Sequence, residues 1–201
     1  MIRKPKFKIG RRLGAGVYDK CQTRQFVASQ ARHTKASTKR PKALSDYGVQ
    51  LIEKQKIRYS YGITEKQLSN YVNESLETRG AIPANKLHEK LESRLDNAVY
   101  RMGLAHTRAL ARQMVSHGHF IVNGHKSTVP SCRLKVGDII KVREGSKKSV
   151  LFTDVAKRLE NYPGSEWLKL DMEKLEASVT GLPKNQESFI DLNTVLEFYS
   201  R

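Results

Sequence analysis

The stretch of residues 91–143 most constrains the fold of this 201-residue chain, because two helix patterns lead directly into a hairpin. Apolar residues at the spacing of one helix face mark the first helix, which Gly103 ends. These residues are Leu91, Leu95, Ala98, Val99 and Met102. Thr107 is placed to cap a second helix, and Gly118 stands where that helix should end. The apolar face of the second helix consists of Leu110, Met114 and Val115.

A β-hairpin should follow the second helix. Residues 120–122 have the pattern of a strand, and Asn123-Gly124 is the strongest two-residue hairpin signal. Three further strand patterns could extend the same sheet, at residues 139–143, 167–171 and 175–179. Helix patterns occupy residues 149–159 and 192–199. The predicted fold class is therefore α+β, with a helix-turn-helix followed by a small antiparallel β-sheet.

A helical domain is predicted upstream, at residues 45–90. Ser45 can cap its first helix, and Thr64 with Gln67 matches the capping box that starts a second one. Pro83 comes before a third helix pattern, whose apolar face continues through Met102 without a break. We therefore expect one long helix to join the helical domain to the helix-turn-helix.

The positive charge of the chain is concentrated at its N-terminus. The net charge is +17, and residues 1–44 hold 13 Lys and Arg against the single acid Asp19. Such an arm suits a polyanionic partner. An anionic membrane is the alternative, but residues 1–44 contain no amphipathic helix with a broad apolar face. Because few apolar residues recur in any period there, we expect this arm to have little independent structure.

Basic side chains that could contact phosphate fall into three sets, since Lys and Arg neutralise phosphate and Arg can bind it bidentately. The arm contributes Lys6, Lys8, Arg11 and Arg12. The end of the arm and the first helix of the helical domain contribute Lys39, Arg40, Lys42, Tyr47, Lys54 and Arg58. The helix-turn-helix and hairpin contribute Arg94, Arg101, Arg108, Arg112, His117, His119 and Lys126. A helix-turn-helix can also read DNA, and sequence alone separates DNA from RNA poorly.

No metal, cofactor or membrane segment is predicted. Cys21 and Cys132 lie far apart and match no metal-binding spacing, so reduced thiols in a cytosolic compartment are expected. His117 and His119 straddle a helix end and a strand start, so their rings need not converge on a metal. No run approaches 18 apolar residues, and the start of the chain lacks the apolar core of a secretory signal.

An enzyme hypothesis centres on Asp96. The Arg94-Leu95-Asp96 element resembles the one that carries the nucleophilic Asp of RNA pseudouridine synthases. Those enzymes, however, have a catalytic domain much longer than the segment that follows the predicted helix-turn-helix and hairpin here. Asp96 also lies within a helix pattern, so we expect it to pair with a neighbouring Arg instead. The chain has no nucleotide-binding motif and no Ser-His-Asp or Cys-His arrangement. A non-enzymatic protein is therefore predicted.

Four segments resemble one family from end to end. TRALARQMVSHGHFIVNG closely resembles the RNA-binding module named after ribosomal protein S-four of the small subunit. The helical domain that precedes that module in the family resembles LSDYGVQLIEKQKIRYSYGITEKQL of this chain. The basic arm of the family resembles KIGRRLGAG, and its C-terminal helix resembles LNTVLEFYSR. The resemblance implies three parts: an arm at 1–44, a helical domain at 45–90 completed by a helix at 189–201, and a module at 91–188 with its core at 91–145.

The resemblance also implies a function and partners. Members of this family bind the five-way junction in the 5′ domain of 16S ribosomal RNA early in assembly of the small subunit. They contact small-subunit protein five near the site linked to decoding accuracy, and with protein three they line the messenger RNA entry channel. Many bacterial members repress their own operon, and some hold zinc through a cysteine cluster in the arm, where this chain has only Cys21. A cytoplasmic protein is expected, with an organellar ribosome as the other possibility. The alternative function is a free-standing RNA-binding or RNA-modifying factor with the same module.

Overall fold

The computed structural model describes residues 5–36, 43–78, 80–153, 155, 159, 162, 164–184 and 189–200. The chain divides into two compact units. The first unit comprises residues 1–84 and 186–201, and the second comprises residues 85–185. The candidate phosphate ligands Lys39, Arg40 and Lys42 lie outside the described residues.

The N-terminal arm is folded over residues 5–36, so the prediction of little structure there is wrong. Its elements are helix α1 (Lys6–Leu13), two short 3₁₀ turns (Ala15–Val17 and Asp19–Gln22) and helix α2 (Arg24–Ala36). They enclose a small core of Leu13, Val17, Cys21 and Phe26. Apolar residues at every fourth or fifth position build this core. Short turns interrupt their helical phase, which hides the pattern from a search for one continuous helix.

Two capped helices follow in the first unit. Helix α3 (Asp46–Tyr61) starts where the Ser45 hydroxyl accepts a hydrogen bond from the Gly48 amide, and Gly62 ends it in the left-handed conformation. Helix α4 (Glu65–Leu76) starts with the complete capping box of Thr64 and Gln67. Both predicted starts are confirmed.

The last helix of the chain, labelled α10 (Leu192–Tyr199), packs against α3. Two polar contacts fix the pair: the Glu53 carboxylate accepts from the Asp191 amide at 3.1 Å, and Gln50 donates to Glu197 at 3.4 Å. Residues from the two ends of the sequence thus share one unit.

The predicted single long helix is instead two helices, α5 (Pro83–Glu92) and α6 (Leu95–Arg101). Arg94 between them takes an extended backbone and forms a β-bridge with Arg133. The Leu95 amide donates to the Cys132 carbonyl at 2.9 Å, and the Asp96 amide donates to the Pro130 carbonyl at 3.0 Å. A distant segment therefore supplies the hydrogen bonds that a continuous helix would have made. Apolar spacing misses this break, because residues on both sides of it are buried.

The rest of the second unit is the predicted helix and sheet. Helix α7 (Arg108–Ser116) is capped by Thr107, and β1 (Phe120–Val122) and β2 (His125–Ser127) form the predicted hairpin, with positive φ at both Asn123 and Gly124. The remaining elements are β3 (Ile139–Val142), α8 (Glu144–Lys147), α9 (Val150–Thr153), β4 (Leu168–Asp171) and β5 (Glu176–Val179). The strand order is β2-β1-β3-β5-β4, all antiparallel. The predicted α+β class is confirmed.

One apolar core fills the second unit beneath the sheet. Its fully buried members include Leu95, Ala111, Val115, Phe120 and Ile140, so α6, α7, β1 and β3 share it. This common core sets the distance and rotation between α6 and α7, and hence the position of the polar side chains along their edges. Within the described residues, no helix is long and apolar enough to cross a membrane.

Candidate nucleic-acid interface

Four arginines of the second unit surround two buried carboxylates; we call Arg94, Arg101, Arg108 and Arg112 the arginine cluster. The carboxylates belong to Glu92 at the end of α5 and Asp96 in the first turn of α6, which are 1% and 3% exposed. Buried carboxylates are stable only when they are paired with cations and hydrogen bonded. The cluster meets that requirement.

Asp96 joins a buried arginine to a more exposed one. Its two oxygens accept from Nε and Nη2 of Arg94 at 3.0 and 2.8 Å, a bidentate pair. One of the same oxygens accepts from Nε of Arg112 on α7 at 2.8 Å. The prediction that Asp96 pairs with a neighbouring Arg is confirmed.

Glu92 holds the other two arginines, one directly and one mainly through Asn97. Its oxygens accept from Nε and Nη2 of Arg101 at 2.8 and 3.0 Å. The Asn97 amide donates to Glu92 at 2.9 Å, and its oxygen accepts from Nε of Arg108 at 2.7 Å. The guanidinium of Arg108 also lies over the Tyr100 ring, 4.6 Å from its centre.

Burial divides the cluster. The side chain of Arg94 is 2% exposed, whereas those of Arg101, Arg108 and Arg112 are 21–27% exposed. Its burial removes Arg94 from reach of a phosphate and leaves it a structural role. The side chains of the other three remain partly exposed while Glu92, Asp96 and Asn97 hold their guanidiniums. Four cations against two anions leave an excess of positive charge.

Three more predicted residues lie where α7 meets the hairpin. Nδ1 of His119 is 2.9 Å from the hydroxyl of Ser146 in α8, and the His117 and His119 rings are 6.1 Å apart. Lys126 is exposed, and its stem passes over Gly118 so closely that a Cβ there would collide with it. Burial, followed by the charges of His117 and Arg143, lowers the pKa of His119 from its ordinary value of 6.5. Sequence reasoning missed Arg143 as a member of this group; its place directly after an amphipathic strand was the available signal.

In the first unit, Lys54 and Arg58 converge on Glu65 rather than on solvent. Nζ of Lys54 is 2.9 Å and Nη1 of Arg58 is 3.0 Å from Glu65 oxygens. The Tyr199 hydroxyl donates to the same carboxylate at 2.6 Å. Burial alone would raise the pKa of Glu65, but the hydrogen bonds from Tyr199 and Lys54 and the nearby positive charges lower it.

Lys54 therefore has a structural position. It is only 7% exposed, and its ammonium lies 4.2 Å from the centre of the Phe198 ring. Tyr47 is more than half exposed, with its ring 5.7 Å from Phe198. Of the second predicted set, only Tyr47 thus presents most of its side chain to solvent within the described residues.

The arm keeps its cations on the outside. Lys6, Lys8 and Arg12 are exposed, while Arg11 is half-buried and donates to the Ser29 hydroxyl at 3.3 Å. The apolar core described above lies beneath them. Cys21 in that core is buried, and burial raises the pKa of its thiol. Among the described residues, no group of three His, Cys, Asp or Glu is arranged to hold a metal ion.

Comparison with known proteins accounts for both units. Residues 1–95 match the model of the ribosomal protein S4/S9 N-terminal domain, and residues 93–140 match the model of the S4 domain. Small ribosomal subunit protein uS4 of Chromobacterium violaceum is 41% identical over 202 residues, covering 98% of this chain and 97% of the relative. The chain belongs to the uS4 family. The uS4 proteins of Persephonella marina and Syntrophomonas wolfei are 43% and 40% identical, over 98% and 91% of this chain.

The match to the S4 domain model covers most of the cluster. This match, at residues 93–140, contains α6, α7 and the first hairpin, and therefore Asp96 and the four arginines. Glu92 lies one position before it, within the N-terminal domain match. Sequence reasoning missed Glu92 and Asn97 as partners of the arginines. Glu92 lies nine positions before Arg101, and Asn97 lies eleven positions before Arg108, in each case on a different helix. Helical spacing therefore gave no signal for these pairs.

Proposed function

We propose that this chain is a structural, non-enzymatic protein of the small ribosomal subunit that binds 16S ribosomal RNA directly. Membership of the uS4 family, with matches that together extend over residues 1–140, is the observation that carries the proposal. Cations in each unit support it, because those of the arm are exposed, three arginines of the cluster are partly exposed, and both sets suit phosphate.

The proposed mechanism is electrostatic and geometric. Mobile cations attract any nucleic acid, whereas cations held at fixed positions favour RNA in which the phosphates occupy matching positions. The helices of the second unit hold three guanidiniums by ion pairs and hydrogen bonds, so this protein would select a folded arrangement of RNA helices rather than a base sequence.

Finer assignments follow from the family resemblance. We propose binding at the five-way junction of the 5′ domain early in assembly, contact with small-subunit protein five, and a position near protein three at the messenger RNA entry channel. Lys39, Arg40 and Lys42 are our candidates for contact with incoming messenger RNA. The cytoplasm is the proposed location.

Footprinting of the full chain on 16S ribosomal RNA tests the main proposal. Protection should be confined to helices around one junction, and the chain should copurify in equal amounts with small subunits washed in high salt. A free-standing RNA-binding factor, the alternative, would be removed by that wash. Absence of a footprint on 16S ribosomal RNA would refute the proposal.

A triple variant tests the role of the arm. Changing Lys6, Lys8 and Arg12 to Gln removes three exposed charges. Each phosphate that the variant no longer neutralises should reduce the slope of log affinity against log salt concentration by about 0.7–0.9. The matched control changes Lys169, Lys174 and Lys184, also exposed but in the second unit, to Gln. Equal effects of the two triplets would mean that only net charge matters.

A further inference from the structure

The two carboxylates of the arginine cluster are unexpected on a surface that binds an anion. Glu92 and Asp96 reduce the positive charge of the region by two, and a buried ion pair is weak evidence for stability, since apolar residues of similar size often serve as well. A cationic surface with no carboxylates would attract RNA more strongly at long range. Their presence therefore needs an explanation other than attraction or core stability.

The geometry of the ion pairs explains the presence of the two carboxylates, because each carboxylate fixes the orientation of a guanidinium. Both oxygens of Glu92 engage Arg101, which fixes the plane of that guanidinium, and Asp96 binds Nε and Nη2 of Arg112 at 2.8 and 2.7 Å. Asn97 carries the constraint from Glu92 to Nε of Arg108. An unrestrained arginine loses much rotamer freedom on binding, and a restrained one has lost it already.

We propose that Glu92 and Asp96 are positioning residues for RNA binding, which hold Arg101, Arg108 and Arg112 in the orientation that phosphates require. This inference rests on the proposed function and deepens it. Asn97 is the third positioning residue, since it links Glu92 to Arg108. Arg94 completes the arrangement from the buried side by binding both oxygens of Asp96.

Removal of the Glu92 charge should change RNA affinity in the direction opposite to that expected from long-range electrostatics. Glu92→Gln raises the net charge of the protein by one, so long-range attraction alone would tighten RNA binding. Loss of positioning would weaken it, because Arg101 loses its ionic partner. We expect roughly tenfold weaker binding, the effect of removing about one charge-assisted hydrogen bond to phosphate. The salt slope should also fall, since fewer phosphates are engaged.

The experiment measures the affinity of the full chain for 16S ribosomal RNA over a range of salt concentrations. Glu173→Gln is the matched control, because it makes the same change in charge at an exposed position in the turn between β4 and β5. The control should bind as tightly as the unchanged protein or slightly more tightly. Fluorescence of Trp167, the single tryptophan and a core residue of the second unit, checks that each variant is folded.

Asn97→Ala is a second variant, which tests the positioning role if Glu92→Gln does not fold. Asn97→Ala leaves the net charge unchanged and removes both the donor to Glu92 and the acceptor for Arg108. It should weaken binding and reduce the salt slope. A loss of folded protein alone would lower the bound fraction without changing that slope. Folded variants that bind as tightly as the unchanged protein, with the same slope, would overturn the inference. Failure of the unchanged protein to bind would instead overturn the proposed function itself.

Discussion

Replacing Glu65 with Gln should loosen the C-terminal helix from the first unit. The carboxylate accepts from Lys54 at 2.9 Å and from Tyr199 of α10 at 2.6 Å, and it pairs with Arg58 at 3.0 Å. In the variant, Lys54 stays almost fully buried without an anion. This is the arrangement in which loss of one partner costs more than loss of a surface pair.

The size of the effect follows from the exposure of each partner. A fully buried broken pair costs about 3–5 kcal/mol and an exposed pair about 0–1 kcal/mol. The Lys54 side chain is 9% exposed and that of Glu65 is 43% exposed, so water replaces part of the interaction. Gln can still accept a hydrogen bond from Tyr199. We expect a loss of about 2 kcal/mol, or roughly a 30-fold increase in the opening equilibrium of this contact.

Hydrogen exchange followed by mass spectrometry tests this expectation at neutral pH. Amides of α10 and the second half of α3 should exchange faster in the variant. Glu77→Gln, at the exposed C-terminal end of α4, is the control and should change stability by less than about 0.5 kcal/mol. Unchanged protection of α10 in Glu65→Gln would refute the structural role assigned to this carboxylate, and Lys54 would again be a candidate for contact with RNA.

The same variant has a predictable pH dependence. The folded pKa of Glu65 lies below its ordinary value of 4.5, so its ionised form stabilises the folded chain above that value. This contribution is lost as the pH falls through the folded pKa. The free energies of unfolding of the variant and of the unchanged protein, from urea denaturation followed by circular dichroism, should therefore converge in acid. A difference as large in acid as at neutral pH would contradict the assignment.

Three further predictions concern the arm, the hairpin and metal content. In Gly10→Ala the new Cβ would lie 2.5 Å from the sulfur of Cys21, so the free energy of unfolding of the arm should fall by about 1–3 kcal/mol and brief proteolysis should cleave the arm faster. In the control Gly48→Ala the nearest atom is 3.4 Å from the new Cβ, and the rate of cleavage should not change. The lowered pKa of His119 means that the unfolded chain takes up a proton before the folded one does as the pH falls below 6.5, so stability should fall there. His119→Gln should reduce the change in the free energy of unfolding between about pH 7.5 and about pH 5.5, measured by urea denaturation followed by Trp167 fluorescence. The control His125→Gln, on exposed strand β2, should leave that change as it is in the unchanged protein. Elemental analysis should find no stoichiometric zinc, because Cys21 is the single cysteine of the arm and one thiolate cannot form a tetrahedral site; one zinc per chain would contradict this.

Local chemistry made much of the second unit predictable. Thr107 as a cap, Asn123-Gly124 as a turn and the strand of residues 139–142 depend on neighbours within a few positions, and each is found where it was expected. The same reasoning failed for the arm, where short 3₁₀ turns break the helical phase of a real core. It also failed between α5 and α6, because the hydrogen bonds that interrupt the helix come from residues 130–133, far along the chain.

The sequence by itself determined the family, the fold class and the excess of positive charge, since these depend on residue types and short spacings. Only the tertiary structure decided which cations are buried and which remain partly exposed. Arg94 and Lys54 are chemically suited to phosphate, yet packing buries them against Asp96 and Glu65. Arg101 and Arg112 stay at the surface with carboxylates that lie 9 and 16 positions away in sequence. The physical reason is that helical spacing determines which face of a helix is apolar. The partner of a charged side chain depends instead on which other segment of the chain packs beside that helix.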